Sequence, residues 1–329
     1  AYPTRAPTHG MRFAVNVPTS AGSSEYSTLA FCDRIDWPTQ RDYGRLVDDL
    51  GFDGLAVPDH LMTGDGATTE CMTTLTGLAS ATSDVTLFPK TVNNELRHAP
   101  LLAKMGATLD GISEGRFKLG MGAGWKADEA VAFGYDWPDA PQRLRAMEEA
   151  IELTKRLWTE DSVTYDGDHY RLEEAVCTPH PVQDPRPAIM VGGGGEEFTL
   201  RITAKHADEW NFWGPVEVIE HKLDVLASHC ETYGTSFEDI DVSWFARCIV
   251  RETEAEVEAV LDEAPRFRDP DEDDPMSSYN NLIGTPAEVA SEIEAYRELG
   301  VDEVDVEFVD FPERTGPELF VDEVVPEFR

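Results

Sequence analysis

Four short stretches combine residue types that could do chemistry. Pro58-Asp59-His60 sets a carboxylate beside an imidazole, a pair able to bind or polarise a ligand and, through the histidine, to exchange a proton near neutral pH. Lys90-Thr91-Val92-Asn93 offers an ammonium, a hydroxyl and an amide in quick succession. Gly122-Ala123-Gly124 and Gly192-Gly193-Gly194-Gly195 leave the backbone unshielded. Alternate glycines let a flat or phosphorylated ligand approach closely, and bare N–H groups ahead of a helix favour an anion such as phosphate. Each stretch also has a structural reading: Asp59 capping a turn while His60 packs, glycines demanded by a bulge, a plain loop over 192–195.

Other chemistries fail on inventory. GxGxxG counted from Gly120 requires a glycine where Trp125 stands, so this is not a dinucleotide fingerprint. None of the eight histidines forms HxH or HExxH, and the five cysteines are odd in number, widely spaced and without a CxxC pair. No metal centre or disulfide framework is expected from them. GxxxxGK[ST] is missing, which removes the nucleotide-hydrolysing loop, and the GxSxG match Gly111-Ile112-Ser113-Glu114-Gly115 leads from a helical stretch into the strand at Arg116, not from a strand into a helix as a serine elbow does. A phosphate cradle with few protein-borne catalysts suits chemistry carried by an organic cofactor and acting on a small molecule.

The elements that must position these stretches alternate. Short β-branched or aromatic runs begin at Arg12, Gly54, Val85, Arg116, Ala188, Glu209, Val242 and Glu303, and helical stretches separate them. Eight such units predict an α/β fold of parallel strands closed into one (β/α)8 TIM barrel spanning residues 1–329, with a doubly wound open sheet as the other solution. Functional residues of such a barrel follow the C-terminal ends of its strands, where all four stretches fall. Two regions break the alternation and read as surface insertions. One, over 158–187, carries two alternating runs around Asp166-Gly167, a β-hairpin; the other, over 265–285, holds the acidic, proline-bearing run from Asp269 to Pro275.

The chain of 329 residues has 27 basic and 64 acidic side chains, a formal charge of −37. Such a surface repels nucleic acid and anionic membranes. With 41% hydrophobic residues it nonetheless has core material in plenty. No long uncharged apolar run and no leader-like start is seen, and a reducing, salt-rich cytoplasm, as in a halophile, is the expected setting. Within this acidic chain the span Lys90–Lys126 is locally basic, with Lys90, Arg97, Lys104, Arg116, Lys118 and Lys126 against Glu95, Asp110 and Glu114. That contrast is expected to mark the mouth of an anion site.

Taken together the residues resemble the bacterial luciferase-like monooxygenase superfamily of flavin- and deazaflavin-dependent barrels. The resemblance covers most of the chain. Arg97-His98-Ala99-Pro100, Leu109-Asp110-Gly111-Ile112-Ser113-Glu114-Gly115-Arg116-Phe117, Gly120-Met121-Gly122-Ala123-Gly124-Trp125 and Phe133-Gly134 look like the family's RHP, LDxLSxGRF, GxGxGW and FG blocks in order. It implies coenzyme F420 or FMN as cofactor, with Lys90, Thr91 and Asn93 at its ring and a non-prolyl cis peptide near Lys90-Thr91. It further implies Gly122, Ala123 and Gly124 at the ring edge, Gly192 to Gly195 at the phosphate, and Asp59 and His60 as the catalytic pair. A homodimer is implied by analogy. The sugar-phosphate dehydrogenase branch places an acidic residue where Trp125 stands, so that branch's substrate does not carry over. The expected activity is F420-dependent hydride transfer to or from a small organic molecule. The alternatives are an FMN-dependent monooxygenase on the same fold and a flavin-binding module without turnover.

The charge generates a first prediction. Raising salt from about 0.15 M to about 1 M shortens the screening length from about 8 to about 3 Å. The thermal midpoint, followed by circular dichroism, is expected to rise over that range; a midpoint that falls removes the halophilic reading.

Overall fold

The computed structural model describes residues 10–21, 35–63, 67–264, 267 and 281–329. The acidic run from Asp269 to Pro275 lies outside the described residues.

Eight parallel strands form the frame: β1 Arg12–Asn16, β2 Gly54–Val57, β3 Thr86–Pro89, β4 Leu119–Gly122, β5 Ile189–Gly192, β6 Glu209–Phe212, β7 Asp241–Val250 and β8 Glu303–Phe308. β8 lies between β1 and β7, with Val306 opposite Val15 and Phe245 opposite Asp305. The order then runs β7, β6, β5, β4. On the other side β2 joins β1 to β3. Two contacts join the ends of this sheet. Leu87 is bridged to Phe117, and Val92–Asn93, where β3 resumes, pairs with Met121 and Gly122 of β4. The TIM barrel expected from the alternation is therefore the observed architecture, and the open sheet is not. One further strand, Asn281–Gly284, extends the sheet beside the far end of β7.

Helices follow the strands because the sequence caps them. α1 (Trp37–Leu50) starts at Asp36, whose side chain accepts from Thr39 N–H, has Pro38 in its first turn and ends on Gly51 at φ 81°. α2 (Cys71–Ala81) is capped by Glu70, α3 (Ala99–Ile112) opens with Pro100, and α5 (Ala140–Thr159) starts on Asp139. Between α3 and α5 a six-residue helix, α4 (Ala127–Ala132), was not signalled by the sequence, because so short a segment shows no period. α6 (Thr199–His206) and α7 (Val216–Tyr233) follow β5 and β6. α8 (Glu254–Glu263) and α9 (Pro286–Glu298) each carry a capping box, Thr253/Glu256 and Thr285/Glu288. Past β8 the chain forms a short α-helix, Thr315–Leu319, followed by wider and tighter turns that seat Phe320 and Phe328 edge-on against Phe13.

The first insertion contains the expected hairpin, Val163–Asp166 against Arg171–Ala175. Asp110 at the end of α3 pins the rest of it, accepting from Val182 N–H at 2.7 Å, Gln183 N–H at 3.1 Å and Gln183 Nε2 at 2.6 Å. Behind it Trp158 is fully buried and donates from Nε1 to Ala103 O at 2.8 Å.

Every second residue of a barrel strand points inward, and here several of those are charged. Lys118 Nζ lies 2.7 Å from Glu209 Oε2 and 3.1 Å from Glu303 Oε1, and Arg12 Nε reaches Glu303 Oε2 at 3.0 Å. Ser243 Oγ donates to Glu209 Oε1 at 2.7 Å and accepts from Asn211 Nδ2, which also donates to Asp305 Oδ2 at 2.9 Å. Burial pushes the Glu209 carboxyl up. It works against Glu303 as well, yet Lys118 and Arg12 together hold that carboxyl below its ordinary value.

Lys118→Met leaves two buried carboxylates facing each other and is expected to cost about 3–5 kcal/mol in urea unfolding. Adding Glu209→Leu removes the stranded charge and should recover most of that loss. A Lys118→Met cost under about 1 kcal/mol would show that the layer is not ionised.

Candidate active site

The strand ends surround a cavity of about 560 Å³. Its size lies within the range of cofactor and small-molecule sites. Pro58, Asp59 and His60 enter it from the end of β2, and Lys90, Thr91 and Asn93 from β3. The glycines of β4 and β5 form another wall.

β3 is interrupted at a cis peptide between Lys90 and Thr91, where the family resemblance places one. Thr91 explains part of the glycine pattern. A Cβ on Gly122 would stand 2.5 Å from Thr91 Oγ1, and one on Gly192 would stand 2.7 Å from Thr91 Cγ2. Gly124, at φ 74°, passes against the Asn93 amide. These glycines therefore admit the strand-three side chains, and Gly122, Ala123, Gly124 and Gly192 also line the cavity.

Farther along the second glycine run the picture divides. Gly193, at φ 121°, lines the cavity, but its N–H is committed to Asn211 O at 3.1 Å. Gly194 lies against the Phe212 ring, and Gly195 is exposed; neither lines the cavity. The helix does not follow at once, because Glu196–Phe198 make a turn before Thr199 begins α6. Thr199 is the residue of that helix that reaches the cavity.

Asp59 and His60, adjacent in sequence, have different environments. Asp59 is buried and bound by both Arg97 nitrogens at 2.6 and 2.8 Å, and its Oδ2 also accepts from Asn93 N–H at 2.9 Å. Arg97 is held in turn by Glu70, the cap of α2. Asp59 is thus the anchor that ties β2, β3 and α2 together at the rim. His60 is available for chemistry. Its Nδ1 lies 3.0 Å from Glu129 Oε1, and its ring meets Trp125 edge-on at 5.8 Å. Glu129 Oε2 accepts from Leu61 N–H at 2.9 Å, so the carboxylate is fixed as it orients the imidazole. An ionised carboxylate can only accept, so Nδ1 is the nitrogen that donates to Glu129, and Nε2 lies on the other side of the ring.

Sequence reasoning missed Glu129 because α4 gave no periodic signal. It missed Asn16 and Phe245, which also line the cavity, because it looked to the residues that follow strands, whereas Asn16 is the last residue of β1 and Phe245 lies within β7. It missed Arg143, in the first turn of α5, whose guanidinium donates to Ala123 O at 3.1 Å and Pro138 O at 2.6 Å while covering the Trp137 ring.

The basic span needs correction. Of its six cations only Lys90 lines the cavity. Arg97 serves Asp59, and Arg116 donates to Ala79 O, Thr82 O and Val85 O. Lys118 sits in the barrel interior, Lys104 reaches Thr178 O, and Lys126 pairs with Asp128 at 2.7 Å. Consecutive strand and helix residues face opposite sides and ends of a barrel, so a run of charge in sequence is not a patch in space. The tryptophans divide similarly: Trp125 and Trp213 line the cavity, whereas Trp210 is core and Trp37 packs over Gly77.

Fold and site geometry together define a (β/α)8-barrel protein with a cavity at the C-terminal strand ends. The chain belongs to the luciferase-like monooxygenase family, whose profile matches residues 11–303. It is 28% identical over 351 residues to an FMNH2-dependent dimethylsulfone monooxygenase of Pseudomonas putida, covering 96% of this chain and 94% of that one. It is 30% identical over 207 residues to an F420-dependent glucose-6-phosphate dehydrogenase of Microbacterium testaceum, covering 61% and 60%. Among solved structures, an F420-dependent secondary alcohol dehydrogenase in complex with an F420-acetone adduct superposes with a TM-score of 0.80 at 16% identity, over 98% of this chain and 100% of that one. Its likeness is one of fold. Among the described residues no helix is long and apolar enough to cross a membrane.

The His60–Glu129 pair yields a prediction independent of any substrate. Glu129→Gln presents an amide that keeps Leu61 N–H on its oxygen and turns a donor toward Nδ1. The His60 proton is then expected to move to Nε2, read from the imidazole 15N shifts. An unchanged tautomer would show that Glu129 does not set it.

Proposed function

We propose that the protein is an F420-dependent oxidoreductase moving a hydride between the deazaflavin and a small organic substrate, with His60 as its acid–base group. The observation that carries this reading is the His60–Glu129 pair facing the cavity beside Thr91 and the glycine wall. Related sugar-phosphate dehydrogenases resemble this chain but carry an acidic residue where Trp125 stands. Here Glu129, four residues on, brings a carboxylate to His60.

The cavity suits such a group. Thr91, Gly122 and Gly192 leave a wall without bulky side chains, against which a flat ring can lie, and Lys90 supplies a cation. Thr199, which opens α6 at the cavity wall, offers its hydroxyl to the phosphate. When bound, the deazaflavin accepts or gives a hydride. His60 Nε2 takes the hydroxyl proton of an alcohol as its carbon gives up hydride, or returns that proton to a carbonyl oxygen in the reverse direction. Glu129 stabilises the imidazolium so formed. Trp125 and Trp213 help to exclude water from the substrate side.

A second reading has its own support. The dimethylsulfone monooxygenase relative matches almost the whole chain, and Trp125 agrees with the GxGxGW block of the resemblance. It would make the protein an FMNH2-dependent monooxygenase supplied by a reductase.

Titration with F420 and FMN, each oxidised and reduced, separates the two by fluorescence. F420 is expected to bind at least about tenfold more tightly than FMN, about 1.4 kcal/mol. Binding of FMN alone overturns the cofactor assignment. With F420 bound, His60→Ala is expected to leave affinity within a few-fold while abolishing hydride transfer.

A further inference from the structure

A folded chain buries its large aromatic side chains where it can, and those left open beside a cavity mark a surface that a ligand covers. Trp125 lines the cavity and is still 55% exposed. Its ring centre lies 5.8 Å from that of His60, so the indole borders the space in front of the acid–base group. Leu144, in α5, and Trp213, just past β6, line the same cavity, and both are only partly buried. The indole is not a loose surface group. Arg143 donates from Nε to Ala123 O at 3.1 Å and from Nη2 to Gly124 O at 3.3 Å, which fixes the backbone leading into Trp125, and its guanidinium lies 4.1 Å from the Trp137 ring.

The charges around the cavity are matched inside the protein. Among the described residues Lys90 and Arg143 are the lysine and arginine that line it. Arg143 is committed to backbone carbonyls, and Lys90, which the cofactor reading sets at the ring, is paired with Asp305 at 3.2 Å. Beside His60 stand two carboxylates: Asp59, already bound by Arg97, and Glu129, buried behind the imidazole. An anionic substrate set against His60 would meet these carboxylates and give up its water with no cation to replace it. An uncharged substrate avoids that cost.

We propose that Trp125, Trp213 and Leu144 form the specificity wall of the cavity, and that the substrate is an uncharged alcohol, or the carbonyl compound it becomes, bearing an aryl or bulky alkyl group. The reacting carbon faces His60 and the apolar group lies on the Trp125 indole. The step balances with what the oxidoreductase reading supplies: the carbinol C–H leaves as hydride to the oxidised deazaflavin, the O–H proton passes to His60, and a C=O bond forms. The inference deepens that reading and rests on it for the reaction. The wall's preference is a property of binding and stands without it.

Calorimetry on the cofactor-free protein, and again with oxidised F420 present, compares three probes: phenylethanol, isopropanol and glucose-6-phosphate. Phenylethanol is expected to bind at least about tenfold more tightly than either of the others, about 1.4 kcal/mol. Trp125→Ala is expected to remove most of that preference. Trp125→Phe, which keeps an aromatic face, is expected to hold it within about threefold. Because the indole is more than half exposed, neither change empties the core, and circular dichroism verifies that both variants fold. Three results overturn the wall: glucose-6-phosphate bound as tightly as phenylethanol, a phenyl preference unchanged in Trp125→Ala, or no binding of phenylethanol in either form of the protein. A tenfold loss of F420 affinity in Trp125→Ala with the phenyl preference intact gives the indole to the cofactor and overturns it as well. Failure of wild type to bind F420 overturns the oxidoreductase reading instead, and the titrations of cofactor-free protein still judge the wall.

Discussion

The site depends on the buried ion layer that fills the barrel beneath it. Arg12, Lys118 and Lys90 face Glu303, Glu209 and Asp305. Three basic and three acidic side chains are carried on segments far apart in sequence. A buried charge is tolerated only when matched and hydrogen-bonded, so each strand must sit at the one register that brings its charge to a partner. Slipping β8 by one residue would turn Glu303, Asp305 and Glu307 out of the barrel together. The layer thus fixes register where apolar packing alone would tolerate a slip, and it gives the cavity a polar floor.

Above that floor the geometry is set by the packing of strand three against its neighbours. Thr91 occupies space that side chains on Gly122 and Gly192 would need, and the Asn93 amide occupies the space beside Gly124. The glycines therefore act at one remove. They bring β4 and β5 close to the interrupted β3, and the wall they leave is smooth because nothing larger fits. Asp59 completes the frame, holding Arg97 with two hydrogen bonds and the backbone N–H of Asn93 with a third. A residue that reads as catalytic from its neighbour His60 is in this way the rivet of the rim.

Most of the architecture was legible along the chain because its signals are local. Asp36, Asp139, Thr253 and Thr285 cap helices where the sequence places them, and Asp166-Gly167 turns the hairpin between two alternating runs. The site was legible in part. Strand-end reasoning reached His60, Lys90, Thr91, Asn93 and the first glycines, all of which line the cavity. It did not reach Glu129 in a helix too short to have a period, nor Asn16 and Phe245, which belong to the strands themselves.

The charge of −37 is the property that sequence alone determines, since composition needs no coordinates. Element order and strand-end chemistry come close behind, because periodicity, caps and turns act over a few residues. Tertiary structure decided which charges matter. The basic span from Lys90 to Lys126 scatters its cations to the barrel interior, the outer helices and the rim, leaving one in the cavity. Tertiary structure also decided that His60 answers to Glu129 and not to its neighbour Asp59. Adjacent side chains on an extended backbone point in opposite directions, so their partners come from elements that only folding brings near.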